Sequence, residues 1–156
     1  MHIRLITIGD RQPSWIGIAF SDYTARLPRQ WRFRLEQIGS KPRKKGVSPK
    51  CAMVAESEKI LTKLKPTEYA ILLDEQGIQL SSNELATRLG DWQAMGQDLA
   101  FIIGGPDGVS EDLVQRANFV WSLSKMTLPH GLARVLFAEQ LYRAWSLIIG
   151  PPYHRE

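Results

Sequence analysis

Cysteine is almost missing from this chain: Cys51 is the only one among 156 residues. That excludes an internal disulfide framework and any zinc site built from several thiolates. Histidine is scarce as well, and His2, His130 and His154 lie far apart, which argues against a histidine-built metal site. No apolar run approaches the roughly 18 residues of a membrane span. The first residues read as a strand and not as a secretory leader, so the expectation is a reduced, soluble, cytoplasmic protein. Neither a G-x-G-x-x-G fingerprint nor a Gly-Lys-Ser/Thr phosphate loop occurs, which withdraws support from a dinucleotide site or a P-loop.

What is present is globular. Hydrophobic residues make up 44% and charged residues 23%, a composition that folds as a packed core. The length fits one domain, residues 1–156, with no linker or repeat. Charge is unevenly placed. Residues 26–50 hold nine basic side chains, among them Arg43, Lys44 and Lys45, against one acid, Glu36. The local balance is +8, whereas eleven bases and fifteen acids elsewhere give −4. Such a field favours a polyanion at one face, and nucleic acid is the foremost candidate. The bland alternative is a solvated Lys-rich loop. An anionic membrane surface is less suited, because no long amphipathic basic helix accompanies the cluster.

Residues 2–8 read as a strand stopped by Gly9. Pro13 opens a helix to about Leu27, with Ile16, Phe20, Tyr23 and Leu27 on one face. Residues 32–38 alternate imperfectly and suit an edge strand, and 39–47 form a loop. Ser48-Pro49 reads as N-cap and first position of a helix to about Leu64. Residues 69–73 make an apolar strand broken at 74–77. Ser81 and Glu84 have capping-box spacing before a helix to about Leu89. Residues 99–103 form a strand closed by Gly104-Gly105, Ser110 caps a helix over 111–117, and 119–123 is the last strand. A long helix over 130–149 stops at Gly150-Pro151, with Glu139 and Arg143 spaced to pair. Its apolar residues exceed one stripe, as expected if one face meets the sheet and another a partner subunit. Strands alternating with helices predict an α/β protein, a mainly parallel sheet covered on both faces.

In that architecture the βα loops open at the carboxyl edge of the sheet, where ligands bind. Three segments converge there: 72–75, 103–108 and 123–130. Gly104 and Gly105 admit a ligand against bare backbone, and a tight turn explains them equally well. The loop 123–130 can present backbone groups and Leu or Met side chains to a purine, or can serve simply as a packed connector. Cys51, beside a helix N-cap with no histidine near in sequence, reads as inert. Asp74 and Glu75 are adjacent acids on a loop and give no glycosidase geometry.

Four motifs carry a resemblance across the whole chain: Ile102-Ile103-Gly104-Gly105-Pro106-Asp107-Gly108, Trp121 through His130, Glu139-Gln140-Leu141-Tyr142-Arg143-Ala144, and Tyr153-His154-Arg155. With these the chain resembles the ribosomal large-subunit methyltransferase H family, of the SPOUT superfamily. The resemblance implies a trefoil knot in the C-terminal part, a homodimer, and S-adenosylmethionine as cofactor. It implies methylation of ring N3 of a pseudouridine in a 23S rRNA stem-loop of the assembled ribosome. By position, cofactor contacts fall at Leu73, Gly104, Leu123, Ser124, Lys125, Met126, Thr127 and Leu128. Catalytic roles fall to His154, Arg134 and Tyr153. Substrate contacts fall to His130 and Arg155, with Arg43, Lys44 and Lys45 on the rRNA backbone. A ring nitrogen that attacks must lose its proton, and His154 is the first choice for handling it. Arg134 and Arg155 suit anion or phosphate stabilisation. The competing classes are a non-enzymatic ribosome-associated protein and a related methyltransferase acting on tRNA.

Overall fold

The computed structural model describes residues 1–9, 11–40 and 45–150. Five strands form one parallel sheet: β1 (Ile3–Ile8), β2 (Arg34–Ile38), β3 (Tyr69–Gln79), β4 (Leu99–Ile103) and β5 (Phe119–Ser122), in the order β2-β1-β4-β3-β5. The helices are α1 (Ser14–Thr24), α2 (Pro49–Lys63), α3 (Ser82–Ala94), α4 (Glu111–Arg116) and α5 (His130–Ile149), with a 3-10 turn at Arg29–Trp31. The expected sheet with helices on both faces is therefore present, and the imperfect strand at 34–38 is indeed an edge.

Alternation along the strands builds two cores. Ile3, Leu5, Phe101 and Trp121 face α1, α3 and α5, where Trp92 meets Phe101 and Phe119 edge-on. Ile6, Ile8, Leu72, Ala100 and Ile102 face α2 and α4 through Ile60 and Leu113. Buried on both sides, β4 and the 69–73 stretch of β3 read as unbroken apolar runs.

Three boundaries differ from the sequence reading. Helix α1 ends at Thr24, and Leu27 is buried beyond it. Pro28 follows, and a residue before proline is pushed out of the helical region. Helix α3 runs through Gly90 to Ala94, because Trp92 extends the buried face of Leu85 and Leu89. Strand β3 continues to Gln79. It breaks register between Leu73 and Ile78, and resumes pairing with Trp121 and Ser122 of β5. Residues 74–77 thus bulge from the strand. At Gly77 a Cβ would lie 2.8 Å from the Val120 and Trp121 backbone, so the bulge sits directly on β5.

The expected caps form. Ser48 accepts from the Cys51 N–H at 3.2 Å and Ser110 from that of Leu113 at 3.3 Å. Ser81 and Glu84 exchange both capping-box hydrogen bonds. After β5, residues 123–129 carry the chain from one sheet edge back to α5. The Arg134 guanidinium of α5 donates to Ile8 and Gly9 carbonyls at the end of β1.

Candidate functional site

The ends of β3 and β4, the crossing after β5 and the start of α5 surround one cleft of about 470 Å³. Its walls are Leu73–Gln76, Ile103–Val109, Leu123, Ser124, Met126–Leu128, His130 and Ala133. The three segments expected to meet at the carboxyl edge therefore do meet. Of the residues assigned to the cofactor by resemblance, Leu73, Gly104, Leu123, Ser124, Met126, Thr127 and Leu128 line the cleft. Lys125 is exposed and lies off these walls.

The glycine turn is closely packed. A Cβ on Gly104 would collide with the Val109 side chain, and one on Gly105 with the Glu56 carboxylate from α2. Gly108 closes the turn through its N–H to the Gly105 carbonyl at 3.1 Å, with φ at 89°. Both glycines pack against side chains and also line the cleft, so the two explanations left open by the motif are compatible here.

Hydroxyls shape the crossing. The Ser122 Oγ donates to the Ser124 carbonyl at 2.9 Å, and the Ser124 Oγ accepts the Met126 N–H at 2.9 Å. Thr127 Oγ1 donates to Glu75 Oε2 at 2.9 Å, tying the crossing to the β3 bulge. Within that bulge the Asp74 carboxylate accepts the Gln76 N–H at 2.8 Å.

His130 stands at the mouth of α5. Burial, and then the neighbouring Arg134 charge, hold its imidazole below the ordinary value, against an opposing hydrogen bond to the Gly105 backbone. Its Nδ1 is buried with no hydrogen-bond partner among the described residues. Arg134 itself is buried and turned toward the end of β1, off the cleft walls. Lys45 is exposed in the turn before α2. Tyr153, His154, Arg155, Arg43 and Lys44 lie outside the described residues.

Sequence reasoning passed over Glu56 as the neighbour of Gly105, and weighed Glu75 only as a possible acid pair. A D-E-x-G stretch directly after a buried strand is the signal that marks such a bulge. No group of three metal-ligating side chains occurs among the described residues. No helix among them is long and apolar enough to cross a membrane.

Proteins similar in sequence give this parallel sheet and its cleft a class. A family model described as "Predicted SPOUT methyltransferase" matches residues 1–154. The chain is 44% identical to the ribosomal RNA large subunit methyltransferase H of Thioalkalivibrio sulfidiphilus, with all of both chains covered. It is 42% identical to the protein of that name from Hahella chejuensis and 43% to that from Laribacter hongkongensis, again over full length. In fold it is similar to the crystal structure of a methylase family protein from Neisseria gonorrhoeae, at a TM-score of 0.57 and 16% identity, covering 99% of this chain and 86% of the other. The chain is thus a SPOUT methyltransferase and belongs to the ribosomal RNA large subunit methyltransferase H family.

Proposed function

We propose that this enzyme transfers the methyl group of S-adenosylmethionine to ring N3 of a pseudouridine in a 23S rRNA stem-loop of the assembled ribosome. The observation that carries the reading is the convergence of 73–76, 103–109 and 123–128 on one cleft, in a chain of this family. The cleft suits a nucleoside. Leu73, Val109 and Leu128 offer apolar surface to a purine, and the backbone of the glycine turn and crossing offers polar groups to its edge. Carboxylates at Asp74 and Asp107 suit ribose hydroxyls and a cationic methionine end, and Glu75 adds a third negative charge to the wall.

The cofactor contacts in this reading are Leu73, Gly104, Leu123, Ser124, Met126, Thr127 and Leu128, with Lys125 off the cleft walls. The bound sulfonium supplies an already activated methyl group. The chain's own work is to align the target nitrogen and to handle its proton. His154 is assigned the proton, with Tyr153 beside it. Arg155 and His130 are assigned to the substrate. Arg134 is assigned to anion stabilisation during the reaction, with its guanidinium also tying the start of α5 to the end of β1. Because the attacking atom is a nitrogen, no cysteine adduct is called for, in keeping with Cys51 exposed on α2 away from the cleft walls.

Arg43, Lys44 and Lys45 are assigned to rRNA phosphates, positioning the substrate without naming a base. A ribosomal substrate places the enzyme in the cytoplasm. A second copy of the chain is assigned to the outer face of α1 and α5. On α1 Trp15 is 56% exposed and Ile18 71%, and on α5 Leu132 is exposed as well.

Transfer of labelled methyl to ribosomes and to tRNA, followed by nucleoside mapping, tests the whole reading. Label in an N3-methylated pseudouridine of 23S rRNA is expected. Label in tRNA overturns the substrate. Absence of saturable S-adenosylmethionine binding in calorimetry overturns the enzymatic assignment and leaves a positively charged ribosome binder.

A further inference from the structure

We infer that Glu75 sets the charge selectivity of the cleft, favouring the cationic methyl donor over the neutral-sulfur product; the inference rests on the cofactor assignment above. Glu75 is carried on the bulge that interrupts β3. That bulge is a firm seat. Gly77 lies against the backbone of Val120 and Trp121 with no room for a Cβ, and Asp74 folds back to accept the Gln76 N–H. The side chain is also fixed at its far end, where Oε2 accepts the Thr127 hydroxyl at 2.9 Å.

The partner matters as much as the position. A threonine hydroxyl orients a carboxylate without neutralising it, and no described Lys or Arg forms an ion pair with Glu75. The described cleft walls carry Asp74, Glu75 and Asp107 and no Lys or Arg, and His130 is held toward its neutral form. A fixed, uncompensated negative charge on a cleft wall stabilises a cation lodged beside it and is indifferent to a neutral sulfur. S-adenosylmethionine carries a sulfonium charge that S-adenosylhomocysteine has lost, while both keep the same ammonium, carboxylate and nucleoside. Discrimination between them is therefore the property that this charge controls. Glu75 acts here as a specificity residue, and Thr127 as the residue that positions it.

The two roles separate by mutation. Glu75→Gln keeps an oxygen that can accept the Thr127 hydroxyl and removes the charge. Thr127→Val removes the hydrogen bond and keeps the charge. Calorimetric titration of the purified protein with S-adenosylmethionine and with S-adenosylhomocysteine, at low and high salt, reads both. For a partly solvated pair, Glu75→Gln is expected to weaken S-adenosylmethionine binding about threefold to tenfold at low salt, less at high salt. Binding of S-adenosylhomocysteine should move clearly less, since it has no sulfonium charge to lose. Thr127→Val is expected to weaken S-adenosylmethionine more than S-adenosylhomocysteine, by less than Glu75→Gln, because the carboxylate is released and not removed. Thermal unfolding of the unliganded variants should match the wild type, since both side chains are at the surface. If Glu75→Gln shifts both ligands equally, or neither, the selectivity role is wrong while the cofactor assignment stands. If the wild type binds neither nucleoside, the cofactor assignment itself fails and takes this inference with it.

Discussion

His130 shows how one residue can report on the cleft. Its imidazole is held below the ordinary 6.5 by burial first and by Arg134 second. The native state therefore stays neutral at a pH where the unfolded chain binds a proton, so the unfolded state is favoured as pH falls. Stability contributed by this site is fully present above the ordinary histidine value and declines from about 6.5 down to the lowered native value. Urea unfolding at pH 7.5 and 5.5 should show this decline, and His130→Asn should flatten it. An equal slope in both proteins would remove His130 as its source. His154 is tested differently. His154→Ala should lower the single-turnover methyl-transfer rate by about 10²-fold or more and erase a rise with pH near neutrality. An unchanged rate across pH would end its proton-handling role.

At the scale of elements, two packed junctions make opposite demands. At the amino edge of the sheet, Arg4 of β1 grips the buried Glu68 with two hydrogen bonds, at 2.8 and 2.7 Å, and Glu36 of β2 with one at 2.6 Å. Glu68 also accepts the Lys65 N–H. Glu68→Ala should cost about 2–3 kcal/mol in urea unfolding, less than a fully buried pair because Arg4 retains Glu36. Methyl transfer by the folded fraction should be unaffected, since these residues lie at the opposite end of the strands from the cleft. Gly77→Ala should do the reverse of sparing function. Its Cβ would meet backbone, not a movable side chain, so the bulge must shift. A loss of about 1–3 kcal/mol is expected, with weakened binding of S-adenosylmethionine in calorimetry.

The same elements show what a sequence can and cannot disclose. Ser48-Pro49 and the Ser81–Glu84 box were legible because caps are local chemistry, complete within four residues. The apolar runs of β3 and β4 were legible because burial on both faces leaves no alternation to confuse with a helix. The end of α3 was not, because what overrides Gly90 is the burial of Trp92 among Tyr69, Phe101 and Phe119, all distant in sequence. In the cleft, the glycine turn and the hydroxyl loop announced themselves by following strands. Glu56 behind Gly105 and Glu75 against Thr127 did not. Each is a meeting of segments about fifty residues apart, which no local pattern encodes.

At the scale of the molecule, charge and apolar surface are expected to serve different partners. Lys44→Gln with Lys45→Gln should weaken ribosome binding and lower the salt slope by about one to two. A slope that stays the same would detach the basic run from the rRNA. Trp15→Asp with Ile18→Asp should convert a dimer to a monomer in sedimentation, because both side chains are exposed on α1. A wild type that is already monomeric would overturn the dimer.

The strand order has one more consequence. β4 lies between β1 and β3, so β1 has only β2 beside it until residue 103 has been added. The cleft then waits for the crossing and for α5. During synthesis the chain must hold an open, apolar strand edge for most of its length, a state that invites aggregation and nascent-chain chaperones. The cleft is complete only with the last fifth of the polypeptide, so a prematurely terminated product carries the basic run 26–50 without it.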